Sequence, residues 1–235
     1  MQAQEKITTS SLFKTSNRRI LEWKEIQDEL QNSIIFPKPI TLDLIRHAES
    51  TINADKRITG SQDVKLTPAG ENQAIYLGQK LDCHYNLAFA STLQRSQRTL
   101  EVALGSDQVK VEKLLYDERL NERSMGVLEG QRHRWIPEYA DGDLKYTPEG
   151  GESYEKVAKR VFSFLLDLSQ VIRQESYIDS VLISGHMGPM RIMLGILKEE
   201  EDPVTVLGLK FSNTEVINLT WKRLQMPGFL KTVIE

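Results

Sequence analysis

Apolar positions along the 235-residue chain fall into two rhythms. Short apolar runs bounded by turn residues read as buried strands, and apolar residues recurring every three or four positions read as amphipathic helices. The first run, Ile40-Thr41-Leu42-Asp43-Leu44-Ile45, ends abruptly at Arg46-His47. Leu87 to Ala90, Val109 to Val111, Ser180 to Ser184 and Thr214 to Thr220 are the other predicted strands. Between them, Thr67 reads as an N-cap with Pro68 in the first helical position. That helix continues through Gln73, Ala74 and Leu77 to Leu81, and a second bears Arg95. Ser153 to Gln174 predicts a long helix with Val157, Val161, Phe164, Leu165 and Leu168 facing inward. Pro189 to Leu197 predicts another. Strands alternating with helices predict an α/β protein, a three-layer α/β/α sandwich with a mostly parallel central sheet.

The chain divides into an N-terminal extension, residues 1–38, and a larger domain, residues 39–235. Ser16-Asn17-Arg18-Arg19 opens a predicted amphipathic helix, with Ile20, Leu21, Trp23, Ile26 and Leu30 near helical spacing. Its charges are mixed rather than basic, which favours docking on the main domain over a membrane surface. Phe36-Pro37-Lys38-Pro39 breaks it. A homodimer remains open as an assembly.

Composition narrows the field. A formal net charge of −3 gives no general pull toward nucleic acid or acidic membranes. One cysteine excludes an intrachain disulfide framework and fits a reducing compartment. No apolar run approaches transmembrane length, and no basic-then-apolar signal segment is seen. A cytoplasmic enzyme is the expectation.

The Arg46-His47 pair carries the chemistry. In open α/β sheets ligands bind where strands end at their carboxyl edge, so the pair is delivered to a site. Arginine offers a planar fork suited to phosphate oxygens, and histidine is a nitrogen nucleophile. Alone, the pair reads equally well as a strand cap. A second stretch repeats the grammar: Val181-Leu182-Ile183-Ser184 is followed by Gly185-His186-Met187-Gly188. Two strands ending in histidine suggest two imidazoles meeting at one sheet edge. Between them lie Ser91-Thr92-Leu93-Gln94-Arg95-Ser96 and Glu118-Arg119-Leu120-Asn121-Glu122-Arg123.

On these ordered motifs, from about Thr41 to Asn218, the chain resembles the histidine phosphatase superfamily, in the branch around cofactor-dependent phosphoglycerate mutase. The resemblance implies a phosphoglycerate mutase-like fold and a phosphohistidine intermediate on His47. Arg46, Arg95 and His186 then match the cationic phosphate pocket, which needs no metal or cofactor, and Glu122 matches the proton donor to the leaving oxygen. Asn53, Thr59 and Gly60, with the Arg57-Ile58 stretch, match positions that contact phosphate and the rest of the substrate. Met187 is expected to offer its backbone amide to a phosphate oxygen. The implied partner is a small phosphorylated metabolite.

Other residues take plainer readings. His84 and His133 read as surface or loop residues, Arg98 as a structural ion pair and Glu49 as an orienter of the loop. No histidine pair has zinc spacing, and Cys83 stands alone. The segment between Glu122 and Gly151 is short compared with that of the mutases and lacks their adjacent arginine pair, with Arg132 and Arg134 the nearest substitutes. The Pro148-Glu149-Gly150-Gly151-Glu152-Ser153 pattern looks more like the phosphatase members. Phosphomonoester hydrolysis is therefore the leading expectation, mutase second, and an inert phospho-ligand or phosphoprotein binder third.

Overall fold

A computed structural model describes residues 23–28, 38–82, 84–105, 108–132, 141–226 and 229–234. The helix start at Ser16, the apolar positions Ile20, Leu21 and Leu30, the Phe36-Pro37 break, and Cys83, His133 and Arg134 lie outside the described residues. Four strands are mutually parallel: β1 (Ile40–Arg46), β2 (His84–Ala90), β3 (Lys110–Tyr116) and β4 (Ser180–Gly185). β5 (Val216–Met226) runs antiparallel to β1, and β6 (Phe229–Ile234) antiparallel to β5. The order across the six-stranded sheet is β3-β2-β4-β1-β5-β6. The sheet is mostly parallel, as expected.

Period-two alternation splits each inner strand between two cores. Leu42, Leu44, Val181 and Ile183 face a core built with α4 (Tyr154–Gln174) and α5 (Met187–Leu197). Ile45, Tyr85, Ala88 and Leu182 face a second core, with Leu77 of α2 (Pro68–Gly78) and Leu100 and Ala103 of α3 (Gln94–Leu104). A sheet with two apolar faces needs a helix layer on each, which is the three-layer sandwich. A short α1 (Thr51–Ala54) lies after β1, and α6 (Pro203–Gly208) after α5.

The expected Thr67 cap forms, and Ser153 caps its helix in the same way. Thr67 accepts the Gly70 N–H at 2.9 Å, and Ser153 accepts that of Lys156 at 3.2 Å. The boundaries of five elements differ. α2 stops at Gly78 rather than Leu81. α5 begins at Met187, two residues before Pro189, because a proline in the first turn forfeits an N–H that has no intrahelical acceptor. β2 and β3 extend to His84 and Tyr116, their weakly apolar ends drawn in by pairing with each other. The last strand starts at Val216, after Thr214 turns at φ +56°, and leads into β6, which the reading above did not include.

Residues 23–28 are helical. Trp23 is fully buried in the α4–α5 core and donates to the Glu200 carbonyl. Gln27 donates to the same carbonyl at 2.7 Å and to that of Gly195 at 3.2 Å. These two side chains fasten residues 23–28 to the turn that leaves α5, where the Gly195 carbonyl also accepts the Glu200 N–H at 3.0 Å. Among the described residues no helix is long and apolar enough to cross a membrane.

Candidate active site

The β1–β4 register places the site. Arg46 pairs with Gly185, and the His47 N–H donates to the Gly185 carbonyl at 3.0 Å. The next residue on each strand is a histidine, so the two imidazoles come together, ring centroids 5.0 Å apart. They sit at the carboxyl edge of the sheet, where His47 lines a cleft of about 200 Å³.

His47 is 4 % exposed. Its Nδ1 donates to the Ala48 carbonyl at 2.7 Å, which leaves Nε2 as the basic nitrogen. Burial holds its pKa well below 6.5, reinforced by the charges of Arg95 and Arg46. The ring is therefore neutral near pH 7, as a nucleophile must be. The Ala48 N–H donates to Thr99 Oγ1 at 2.9 Å, and that hydroxyl donates to the Arg95 carbonyl at 2.7 Å. One turn of α3 thus positions both the histidine loop and Arg95.

His186 is fully buried, behind the cleft wall rather than on it. Its Nε2 lies 2.6 Å from Ser91 Oγ. That oxygen also accepts the Leu93 N–H at 3.3 Å, which fixes the hydroxyl beside the ring. Burial first, then Arg95, keeps this ring neutral too.

Both arginines are gripped by carbonyls. Arg46 Nη1 donates to Phe211 at 2.6 Å. Arg95 donates from Nη1 to Gln62 at 2.6 Å and from Nη2 to Gly60 at 2.8 Å. Burial lowers the Arg95 pKa to about 10, offset by the charges of Glu122, Asp63 and Glu129, and the group stays cationic near neutral pH. Among the described residues, the buried side-chain nitrogens and oxygens without a hydrogen-bond partner are Arg46 Nε, Arg95 Nε and His186 Nδ1. All three belong to this one site.

Glu122 lines the same cleft. Its Oε1 accepts the Arg123 N–H at 3.0 Å and the Gly188 N–H at 2.9 Å. A side chain at position 188 would bring its Cβ within 2.6 Å of that oxygen, so glycine is required for the carboxylate to reach α5.

Asn53, Thr59, Gly60 and Met187 all line the cleft with Arg46, His47 and Arg95. Two of them also hold the loop together. Asn53 Oδ1 accepts from the Ser50 amide and hydroxyl, while Nδ2 donates to Asn213 Oδ1 at 3.3 Å, so this side chain braces the loop. Gly60 is needed less for ligand approach than for its φ of +54° and for space against Glu129. The Met187 N–H lies in the first turn of α5, where helical acceptors are lacking.

Sequence reasoning missed several contributors. Asn213 Nδ2 donates to the His47 carbonyl at 2.7 Å, and the Thr214 N–H to the Arg46 carbonyl at 3.0 Å, clamping the central dipeptide from across the fold. Arg123 is buried, its guanidinium 4.3 Å over the Tyr154 ring and its Nε donating to the Glu152 carbonyl at 2.6 Å. Arg191 donates to the Tyr154 hydroxyl at 3.0 Å. Arg123, Tyr154 and Arg191 line the cleft, and the one usable signal was that Arg123 follows Glu122 directly. Arg132 is exposed and forms a β-bridge with Arg57 rather than lining the cleft. Of the plainer readings, Arg98 pairs with Glu71 at 2.9 Å and His84 with Glu112 at 3.1 Å. Glu49 accepts the Thr67 hydroxyl at 2.7 Å.

A neutral histidine beside unmatched cationic donors, with a carboxylate across the cleft, defines the site as one built for phosphoryl groups on an α/β scaffold. The sequence profile of the histidine phosphatase superfamily (branch 1) matches residues 42–226. The chain belongs to that superfamily. It is 35 % identical over 191 residues to fructose-2,6-bisphosphatase TIGAR B of Danio rerio, covering 78 % of this chain and 74 % of that one. It is 33 % identical over 162 residues to a 2,3-bisphosphoglycerate-dependent phosphoglycerate mutase of Cytophaga hutchinsonii, covering 65 % and 75 %. Among solved structures it resembles a putative α-ribazole-5′-P phosphatase of Escherichia coli, with a TM-score of 0.66 at 24 % identity over 83 % of this chain and 95 % of that one. At that identity the likeness speaks for the fold.

Proposed function

We infer that the protein is a metal-independent phosphomonoester hydrolase that works through a phosphohistidine on a small phosphorylated metabolite. The observation that carries this reading is the convergence of unpartnered Arg46 Nε, Arg95 Nε and His186 Nδ1 on one cleft beside His47. A buried donor without an acceptor costs about 1–3 kcal/mol, and phosphoryl oxygens supply the acceptors. With phosphate seated on these donors, His47 Nε2 attacks phosphorus as the bond to the leaving oxygen breaks. Glu122 gives that oxygen its proton. In the second half-reaction Glu122 takes a proton from water, the water oxygen bonds to phosphorus, and the phosphorus–nitrogen bond breaks to free His47 and phosphate. A reducing, cytoplasmic setting fits the single cysteine.

The relatives include enzymes named as phosphatases and as mutases, so the acceptor is the open choice. Water is favoured because Arg132, bridged to the cleft residue Arg57, does not itself line the cleft, and because the segment before Gly151 is short. The test is rapid acid-free quenching with a radiolabelled ester after chelation. It should trap an acid-labile, alkali-stable phosphoenzyme, with inorganic phosphate as the product. Glu122→Gln should slow alkyl phosphates about 10²–10⁴-fold while largely sparing p-nitrophenyl phosphate, whose leaving oxygen needs little protonation. Conversion of 3-phosphoglycerate to 2-phosphoglycerate with negligible phosphate release would move the protein to the mutases. Strict metal dependence would remove the mechanism.

A further inference from the structure

Glu129 follows a short 3₁₀ turn, Gly126–Leu128, and does not line the cleft. Its Oε1 nevertheless ties together two loops that do. It accepts from the Ser61 amide at 2.8 Å and the Ser61 hydroxyl at 2.9 Å. From the other loop it accepts the Met125 amide at 2.9 Å. A Cβ at position 60 would stand 2.3 Å from this same oxygen, so the chain is bare where the carboxylate presses closest. The carbonyls on either side of Ser61, those of Gly60 and Gln62, are the two that grip the terminal nitrogens of Arg95. Glu129 therefore pins the Gly60–Ser61 peptide, whose carbonyl is one of the two that aim Arg95, and its charge helps to keep that guanidinium protonated.

We propose that Glu129 is a positioning residue for phosphoryl binding, setting Arg95 through the Gly60–Gln62 turn. This rests on reading the cleft as a phosphoryl site. One oxygen holds the turn, so a neutral amide oxygen at the same place should hold it as well. The role is geometric.

The probe is orthovanadate, titrated by calorimetry and as an inhibitor of p-nitrophenyl phosphate turnover by the full chain. Glu129→Ala should weaken vanadate binding and raise KM by about 10–100-fold, the range for misplacing one charge-assisted donor, with a smaller change in kcat. Glu129→Gln should stay within about threefold of the parent, because the acceptor is retained. Ser61→Ala, at an exposed position that tolerates the change, removes one of the donors and should give a loss between these, which keeps the test alive if Glu129→Ala does not fold. Gln131→Ala is the structural control. Its amide holds only the Val127 carbonyl of the same turn, and it should leave vanadate binding unchanged. Parent-like vanadate binding in Glu129→Ala and Ser61→Ala overturns the inference, and so does Glu129→Gln as damaged as Glu129→Ala. A parent chain that turns over ester but shows no Glu129 effect sinks this inference alone. A parent that neither binds vanadate nor hydrolyses any ester sinks the phosphoryl reading with it.

Discussion

Two polar groups on β1, three residues apart, meet opposite fates. Asp43 lies mid-strand and 2 % exposed, and its carboxylate is fully occupied. The Tyr85 hydroxyl donates to one oxygen and Asn218 Nδ2 to the other at 2.6 Å. Arg46, at the strand end, keeps a buried nitrogen without a partner, as do Arg95 and His186 beside it. Burial penalises both sets: it raises the Asp43 carboxyl pKa and lowers that of the Arg46 guanidinium. The interior set is answered by neighbouring strands and closes on itself. The edge set is answered from within the protein only in part, and its remaining capacity points into a cleft. Matched polar groups stabilise a fold, whereas unmatched ones mark where a ligand completes it.

The strongest way to break that contrast is His47→Asn. It should lower turnover of every ester by about 10⁴-fold or more and abolish the trapped phosphoenzyme, because no other group replaces Nε2. Residual single-turnover phosphorylation in this variant would show the nucleophile to be elsewhere.

Arg95→Met comes next. Phosphate charge is present whatever the leaving group, so kcat/KM should fall about 10²–10³-fold for good and poor leaving groups alike. A loss confined to poor leaving groups would place Arg95 in proton transfer instead.

Tyr85→Phe probes the matched set. It should cost about 1–3 kcal/mol in denaturant unfolding, because Asp43 loses a donor inside the sheet, while turnover stays near the parent value. A variant as stable as the parent but slower would tie the interior network to catalysis.

The smallest effect is in pH. His47 and His186 stay neutral in the folded chain, whereas unfolded imidazoles take up protons as pH falls through about 6.5. The unfolded state then binds more protons, so stability should decline on acidification below that point, by up to about 1.4 kcal/mol per pH unit for each ring. Unfolding titrations at about pH 7.5 and about pH 5.5, repeated with His47→Asn, should show a shallower decline in the variant. Identical slopes would mean that His47 is not neutral in the fold.

Much of this was legible along the chain. Period-two and period-3.6 patterns gave the layers, and strands ending in Arg46-His47 and Gly185-His186 gave the site's centre. Thr67 announced its helix because capping is a local bond between residues three apart. Pairing drew in the further residues of β2 and β3, beyond the short apolar runs. Trp23 was readable as apolar, but not as a donor to the Glu200 carbonyl, which lies 177 positions away.

The sequence by itself singled out His47, Arg46, Arg95, Glu122 and His186 as the residues proposed to carry the chemistry, because they stand in motifs whose residue types suit phosphoryl transfer. Only the tertiary structure decided what holds them. Ser91 holds the His186 ring through Nε2, Asn213 and Thr214 clamp the Arg46-His47 peptides, and Glu129 braces the turn that grips Arg95. The reason is physical. A reacting atom constrains the residue that bears it, whereas a hydrogen bond to a backbone carbonyl can be made by many residue types from many places, and only the fold chooses which one arrives.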